Sequence, residues 1–119
     1  IPVEFRAAMG NRVFGCDDCQ LVCPWNKFTE PTREQDFTPR HRLDAASLVE
    51  LFAWSEEEFL SNTEGSPIRR IGYECWLRNI AVGLGNAGAS PEVKAALQAR
   101  ADHASPLVRE HVAWALSRT

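Results

Sequence analysis

The sequence predicts an all-α protein, a cysteine-rich turn followed by a stack of antiparallel helices. Three observations carry this expectation. Start signals recur at Ser66-Pro67, Ser90-Pro91 and Ser105-Pro106. Serine is a favoured N-cap, and proline suits the first helical position because its missing N–H has no partner there anyway. After each signal, apolar residues recur at helical rather than alternating spacing. Finally, Ile80-Ala81-Val82-Gly83-Leu84-Gly85 aligns with Val112-Ala113-Trp114-Ala115-Leu116-Ser117 at an offset of 32 residues, the mark of a repeated helical unit.

Composition sets the outer bounds. The chain has 119 residues, one domain's worth, and 45% of them are hydrophobic, enough for a packed core. Its net charge of −3 gives no global basic field, so any contact with nucleic acid must come from a local cluster. The four cysteines are not spread as pairs, which argues against a secreted disulfide framework. No apolar run approaches the roughly 18 residues that a membrane span requires. The chain opens at Ile1-Pro2 with no Met, signal peptide or polar arm, and reads as beginning in the middle of a larger protein.

Taken in order, Pro2 to Met9 is expected to form a short helix with Val3, Phe5, Ala8 and Met9 facing a core, ended by Gly10-Asn11. Asp17 and Asp18 open the cysteine turn, where negative charge suits a helix start; capping accounts for them better than catalysis does. From Pro24 to His41 the pattern is a loop, with Trp25, Phe28 and Phe37 as aromatic anchors that pin it to the helices or, in a second reading, wall off a cofactor. Leu43 to Trp54 has helical period, with Asp44 as N-cap and Leu48, Leu51 and Phe52 on one face. Ser55-Glu56-Glu57-Glu58 has the form of a capping box, so these glutamates are helix-start charge.

Ser66-Pro67 opens the longest helix, expected to run to about Gly85, with Gly72 and Gly83 marking close helix packing and Cys75 in the core. The last two helices follow Pro91 and Pro106, joined by about four residues, a length that makes them antiparallel neighbours. His103 and His111 lack a cysteine or acid at ligand spacing and read as surface or packing residues.

The chemistry concentrates in Gly15-Cys16-Asp17-Asp18-Cys19-Gln20-Leu21-Val22-Cys23-Pro24, a C-x2-C-x3-C-P run holding three of the four cysteines. It matches the last three cysteines and the proline of the bacterial ferredoxin run; that run's first cysteine falls at Val13, which cannot ligate. A redox dithiol is a weaker account, since no strands alternate around it. Zinc wants four ligands, and no second C-x-x-C exists. Buried structural cysteine would not need the spacing. An iron–sulfur site leads all three, with Cys16, Cys19 and Cys23 as metal ligands.

The run from Met9 to Asn26 resembles the second cysteine motif of the epoxyqueuosine reductase family. Ser66-Pro67-Ile68-Arg69-Arg70, Leu77-Arg78-Asn79 and Leu84-Gly85-Asn86 resemble that family's C-terminal HEAT-like segment. The resemblance implies a ferredoxin-like cysteine turn, the C-terminal half of a two-cluster segment, over residues 1–42. A short HEAT-like α-solenoid follows over 43–119. It implies a cytoplasmic oxidoreductase that binds cobalamin and two [4Fe–4S] clusters and removes the epoxide oxygen of epoxyqueuosine in the tRNA anticodon loop. Cys16 and Cys19 would then bind one cluster with upstream cysteines, and Cys23 the other. The family's cobalamin domain, first cysteine run and catalytic acid have no counterpart here. The clusters are therefore expected to be incomplete in this chain, and the chain by itself inactive.

Its partners would be the upstream domain, the tRNA anticodon stem-loop and an electron donor from outside the chain. Arg69, Arg70 and Arg78 form a loose basic patch for tRNA, set against solvated arginines paired with glutamates. Two other functions compete: a HEAT-like protein-interaction module with a degenerate iron–sulfur motif, and a ferredoxin-like electron carrier, which the lack of two full motifs argues against.

Overall fold

Serine side chains cap three of the α-helices among the described residues. The computed structural model describes residues 1–39 and 47–119. In chain order its α-helices are α1 Val3–Arg6, α2 Asp18–Leu21, α3 Leu48–Phe52, α4 Glu56–Asn62, α5 Tyr73–Asn86, α6 Pro91–Gln98 and α7 Pro106–Arg118. Short 3-10 turns lie at Pro24–Phe28, Gln35–Phe37 and Pro67–Ile71, and there is no strand among the described residues. The Ser55 capping box is present: its Oγ accepts from the Glu58 N–H at 3.2 Å, and the Glu58 carboxylate accepts from the Ser55 N–H at 2.8 Å. Ser47 builds a second box with Glu50 and is the N-cap of α3. Asp44, expected in that role, lies outside the described residues. Ser90 accepts from Val93 N–H and Ser66 from Ile68 N–H, whereas Ser105 makes no side-chain cap.

The helix expected from Ser66 to Gly85 is broken at Gly72. A 3-10 turn ends there, Gly72 takes φ +78°, and its carbonyl accepts the Trp76 N–H at 3.0 Å to begin α5. That backbone suits glycine because a Cβ would be strained in it. Gly72 is thus a hinge between two helical pieces and not a packing point. Close packing falls instead on Gly83 and Gly85. A Cβ on Gly85 would lie 2.8 Å from Trp114 Cζ3 and 3.0 Å from the Ala115 Cβ, so the absence of a side chain lets α7 approach. The α5–α7 pairing is the most extensive between helices, and α3, α4 and α6 also pack on α5. Residues 99–105 join α6 to α7, a longer connection than expected, and the two helices still meet.

The core gathers on one face of α5. Trp76, Leu77, Ile80 and Leu84 are buried with Phe52 from α3, Phe59 from α4, Leu97 from α6 and Val108 and Val112 from α7. Trp76 stacks on Trp54 with centroids 5.6 Å apart and meets Phe59 at 5.4 Å. The Tyr73 hydroxyl donates to the Trp54 carbonyl at 2.5 Å, and Arg100 donates to the Phe52 and Trp54 carbonyls, so the C-terminal end of α3 is satisfied by side chains.

Four expectations change. At the N-terminus the helix is a single turn, and Val3 and Phe5 face outward while Arg6 is the buried side chain. An arginine goes inside because it finds partners there, described below. Trp25 and Phe28 do not pin their loop to the helices; they touch each other at 5.5 Å and stand 70% and 64% exposed. The loop itself holds two 3-10 turns, and the side chain of Phe37 lies outside what is described. Cys75 is half-buried on α5 and is not a core residue.

Candidate metal-ligand turn

The cysteine turn is shaped by backbone before any metal. Cys16 lies between Gly15 and Asp17, both left-handed, at φ 64° and 55°. Aspartate is among the few side chains that tolerate this conformation. From it the Asp17 carbonyl accepts the N–H groups of Gln20 and Leu21, each at 2.9 Å, and opens α2. Cys19 stands on α2, and Cys23 follows it just before Pro24 starts a 3-10 turn. Asn26 closes the unit: its Nδ2 donates to the Gln20 carbonyl at 2.6 Å. Arg12 reaches Asp18 at 3.2 Å, an exposed pair of little energetic weight.

Cys16 and Cys19 are exposed and Cys23 is half-buried. Among the described residues, no group of three or more His, Cys, Asp or Glu side chains is gathered to hold a metal ion. Thiolates are the donors that iron–sulfur clusters and structural zinc take. The turn therefore suits a soft metal group as a contributor of ligands, and does not enclose one by itself. Around it Leu21, Val22, Trp25 and Phe28 form an apolar surface, each more than 60% exposed. Apolar patches of this kind mark a contact face.

The segment carrying the turn is fastened to the helical stack by side chains that grip backbone carbonyls. Asn86 donates to the carbonyls of Arg6 at 2.8 Å and Gly10 at 2.9 Å. About two turns earlier on α5, Asn79 donates to the Val13 carbonyl at 2.7 Å. Arg6 pairs with Glu110 on α7, donates to the Ile1 carbonyl at 2.8 Å, and lies over the Trp114 ring at 5.7 Å. Hydrogen bonding to Arg6 holds the Glu110 carboxyl below its usual range. Asn26, Asn79 and Asn86 carry the family resemblance in the sequence but no structural role there, and Arg6 carries neither. The available signal was asparagine within a helix: it is a poor helix former, so its presence on α5 asks for a reason.

His111 is buried behind this clasp. Its Nδ1–H donates to the Leu107 carbonyl at 2.8 Å, which turns Nε2 toward the Ile1 nitrogen at 3.0 Å. Burial, with Arg6 acting in the same sense, holds its pKa below the ordinary imidazole value. The folded state thus keeps His111 neutral, while the unfolded chain takes up a proton near pH 6.5, about the unperturbed value. The stability tied to the neutral ring is present above that pH and is lost as pH falls toward the lowered folded value. Urea midpoints at pH 7.5 and 5.5 are expected to differ more for the native chain than for a His111→Gln variant. Equal differences would remove His111 from the account.

The three arginines stand on two elements. Arg69 and Arg70 are exposed on the 3-10 turn before Gly72. Arg78, on α5 and half-buried, lines a cleft of about 310 Å³ with Arg12, Gly15, Cys16 and Asn79. A larger apolar groove of about 510 Å³ between α3 and α6 is lined by Phe52, Ala96, Ala99 and Arg100. It holds no thiol and no nucleophile.

Fold and turn together define a class: an α-helical scaffold that presents a thiol cluster of ferredoxin-type spacing on a tethered turn. Known proteins narrow it. The chain is 67% identical to epoxyqueuosine reductase of Pseudomonas aeruginosa over 118 residues, covering 99% of this chain and 33% of that protein. It is 58% identical to the Escherichia coli K12 epoxyqueuosine reductase, covering 31% of it. A crystal structure of epoxyqueuosine reductase with a tRNA-Tyr epoxyqueuosine-modified stem loop superposes at a TM-score of 0.87 with 29% identity, covering 98% of this chain and 31% of that one. The Bacillus subtilis epoxyqueuosine reductase superposes at 0.79 with 30% identity, covering 98% of this chain and 32% of that one. No family model matches. The chain corresponds to a segment of epoxyqueuosine reductase, and it spans about a third of the length of the curated relatives it matches. No helix among the described residues is long and apolar enough to cross a membrane.

Proposed function

We propose that the chain is the C-terminal iron–sulfur and tRNA-docking part of a cytoplasmic epoxyqueuosine reductase, which reduces epoxyqueuosine to queuosine in tRNA. The observation that carries this reading is the Gly15–Asn26 turn, with three thiols at ferredoxin spacing, inside a chain whose near-complete length matches reductases of this name. Residues 1–42 are the cysteine segment and 43–119 a short HEAT-like solenoid; the extensive α5–α7 pairing, which brings together the two stretches of the 32-residue repeat, supports the second assignment.

Cys16 and Cys19 ligate one [4Fe–4S] cluster together with thiolates from the rest of the protein, and Cys23 ligates the other. Removal of an epoxide oxygen consumes two electrons, and cobalamin bound by the rest of the protein supplies the carbon–oxygen chemistry. What this chain's own residues do is narrower. They hold three thiolates on a turn whose position is set by Asn79, Asn86 and Arg6, and they leave the apolar face of Leu21, Val22, Trp25 and Phe28 for the upstream domain to cover, excluding water from the cluster's surroundings. The relation to a reductase solved with a tRNA stem loop supports the anticodon stem-loop as partner.

Arg69 and Arg70, exposed and without a carboxylate partner among the described residues, are the arginines placed for its phosphates. In the full-length protein, Arg69→Ala and Arg70→Ala are each expected to weaken tRNA binding and to reduce the slope of log affinity against log salt by about one unit per lost phosphate contact. Filter-binding titrations over a salt series measure both. Unchanged affinity and slope in both variants would return these side chains to the role of solvated charge.

A further inference from the structure

We propose that Arg78, aimed by Asn79, is a fixed positive charge that tunes the reduction potential of the metal group held by Cys16. The inference rests on the reading of Cys16 as a cluster ligand and goes beyond it, giving Arg78 an electrostatic role toward the metal group in place of a phosphate contact.

Three observations bring the charge there. Arg78 and Cys16 line the same cleft of about 310 Å³ between α5 and the cysteine segment. Asn79 uses both ends of its amide: Oδ1 accepts from Arg78 Nε at 3.0 Å while Nδ2 donates to the Val13 carbonyl at 2.7 Å, three residues before Cys16. One side chain therefore fixes the guanidinium and the approach to the turn in a single arrangement. Third, the two arginines of the cleft are not equivalent. Arg12 has a carboxylate partner in Asp18, whereas Arg78 has none among the described residues. A half-buried guanidinium keeps its charge at every physiological pH. Leaving it uncompensated is unfavourable unless an anion completes it.

A cluster with thiolate ligands is such an anion. On reduction one electron enters from a one-electron donor, no bond forms or breaks, and the cluster becomes more negative by one charge. A nearby cation favours that more negative state, so it raises the potential; net charge and hydrogen bonding around the sulfurs are known levers on this quantity. The tRNA role fits Arg78 less well than it fits Arg69 and Arg70, because Arg78 is half-buried along the cleft and its Nε is already engaged.

The test uses full-length protein with reconstituted clusters, titrated with dithionite against redox dyes and followed by electron paramagnetic resonance. Arg78→Gln is expected to make one cluster harder to reduce by about tenfold in its equilibrium constant, which is about 59 mV for one electron. Arg78→Lys, which keeps the charge, is expected to restore most of the shift. The affinity for tRNA and its salt slope are expected to stay at the native value in both. An unchanged potential in Arg78→Gln, with iron and sulfide intact, overturns the proposal. So does a loss of tRNA affinity and of salt slope with the potential unmoved, which would make Arg78 a phosphate contact. Iron and sulfide analysis of Cys16→Ser separates the two levels. Full iron there brings down the ligand assignment and this proposal with it, whereas lost iron with no Arg78 effect brings down this proposal alone.

Discussion

Cys16→Ser, Cys19→Ser and Cys23→Ser in the full-length protein are each expected to lower bound iron and sulfide and to cut queuosine formation by at least ~10-fold. Loss of an outer-shell partner alone typically costs ~10–100-fold in metal affinity or activity, and loss of a ligand is the larger change. A serine hydroxyl is a harder and less acidic donor than a thiol, so it replaces the thiolate poorly. On the proposed ligand sharing, the three substitutions damage different clusters. Cys16→Ser and Cys19→Ser are expected to share one spectroscopic defect, and Cys23→Ser to show another. Cys75→Ser is the control: that thiol sits on α5, outside the turn, and its loss should leave iron and sulfide unchanged. Anaerobic reconstitution followed by iron and sulfide assay and absorption spectra reads all four. Full iron in the three turn variants, or stoichiometric zinc in place of iron in the native protein, sinks the cluster assignment.

The second large effect lies in the core. Trp76→Ala is expected to destabilise the fold by about 3–5 kcal/mol, the range for deleting a buried aromatic. Trp76 is 2% exposed and touches three neighbours at once: Trp54 after α3, Phe59 on α4, and the Leu51 carbonyl, to which its Nε1 donates at 3.4 Å. Its removal opens a cavity where α3 and α4 meet α5 and leaves Trp54 without its stacking partner. Since small domains hold only about 5–15 kcal/mol in total, this is a large share. Urea denaturation followed by far-ultraviolet circular dichroism measures it. Trp25→Ala is the contrast, a tryptophan of the same size on an exposed turn, expected to fall within about 0.5 kcal/mol of the native chain. A Trp76→Ala loss below about 1 kcal/mol would show that the core is not organised around this ring.

Much of the helical architecture was legible because its signals are local. The Ser55 box, the Ser90-Pro91 start and the periodicity of Leu48, Leu51 and Phe52 each depend on residues within a turn or two of one another. The break at Gly72 was not legible, since a glycine at φ +78° and a glycine admitting a neighbouring helix look alike in sequence. The burial of Arg6 was missed for a related reason. Its partners, Glu110 and Trp114, lie about a hundred residues away, and no local pattern announces them. The exposure of Trp25 and Phe28 reverses the usual expectation for aromatic residues. Sequence shows that a ring wants a partner, and does not show whether the partner lies in the same chain. For the candidate site, spacing pointed to the thiols directly. The asparagines that hold their turn in place were visible as residues but not as a clasp, because their targets are main-chain oxygens, which carry no residue identity.

That last property shapes how the segment can change over generations. A carbonyl oxygen is present whatever side chain stands at its position. Replacement of the side chain at Val13 therefore leaves the Asn79 bond available, and its cost is confined to packing. The burden of inheritance falls instead on the helix. One substitution at Asn86 removes the bonds to both Arg6 and Gly10, and no second change along the segment can restore a donor that α5 has lost. Drift is tolerated at Val13 and penalised at Asn79 and Asn86.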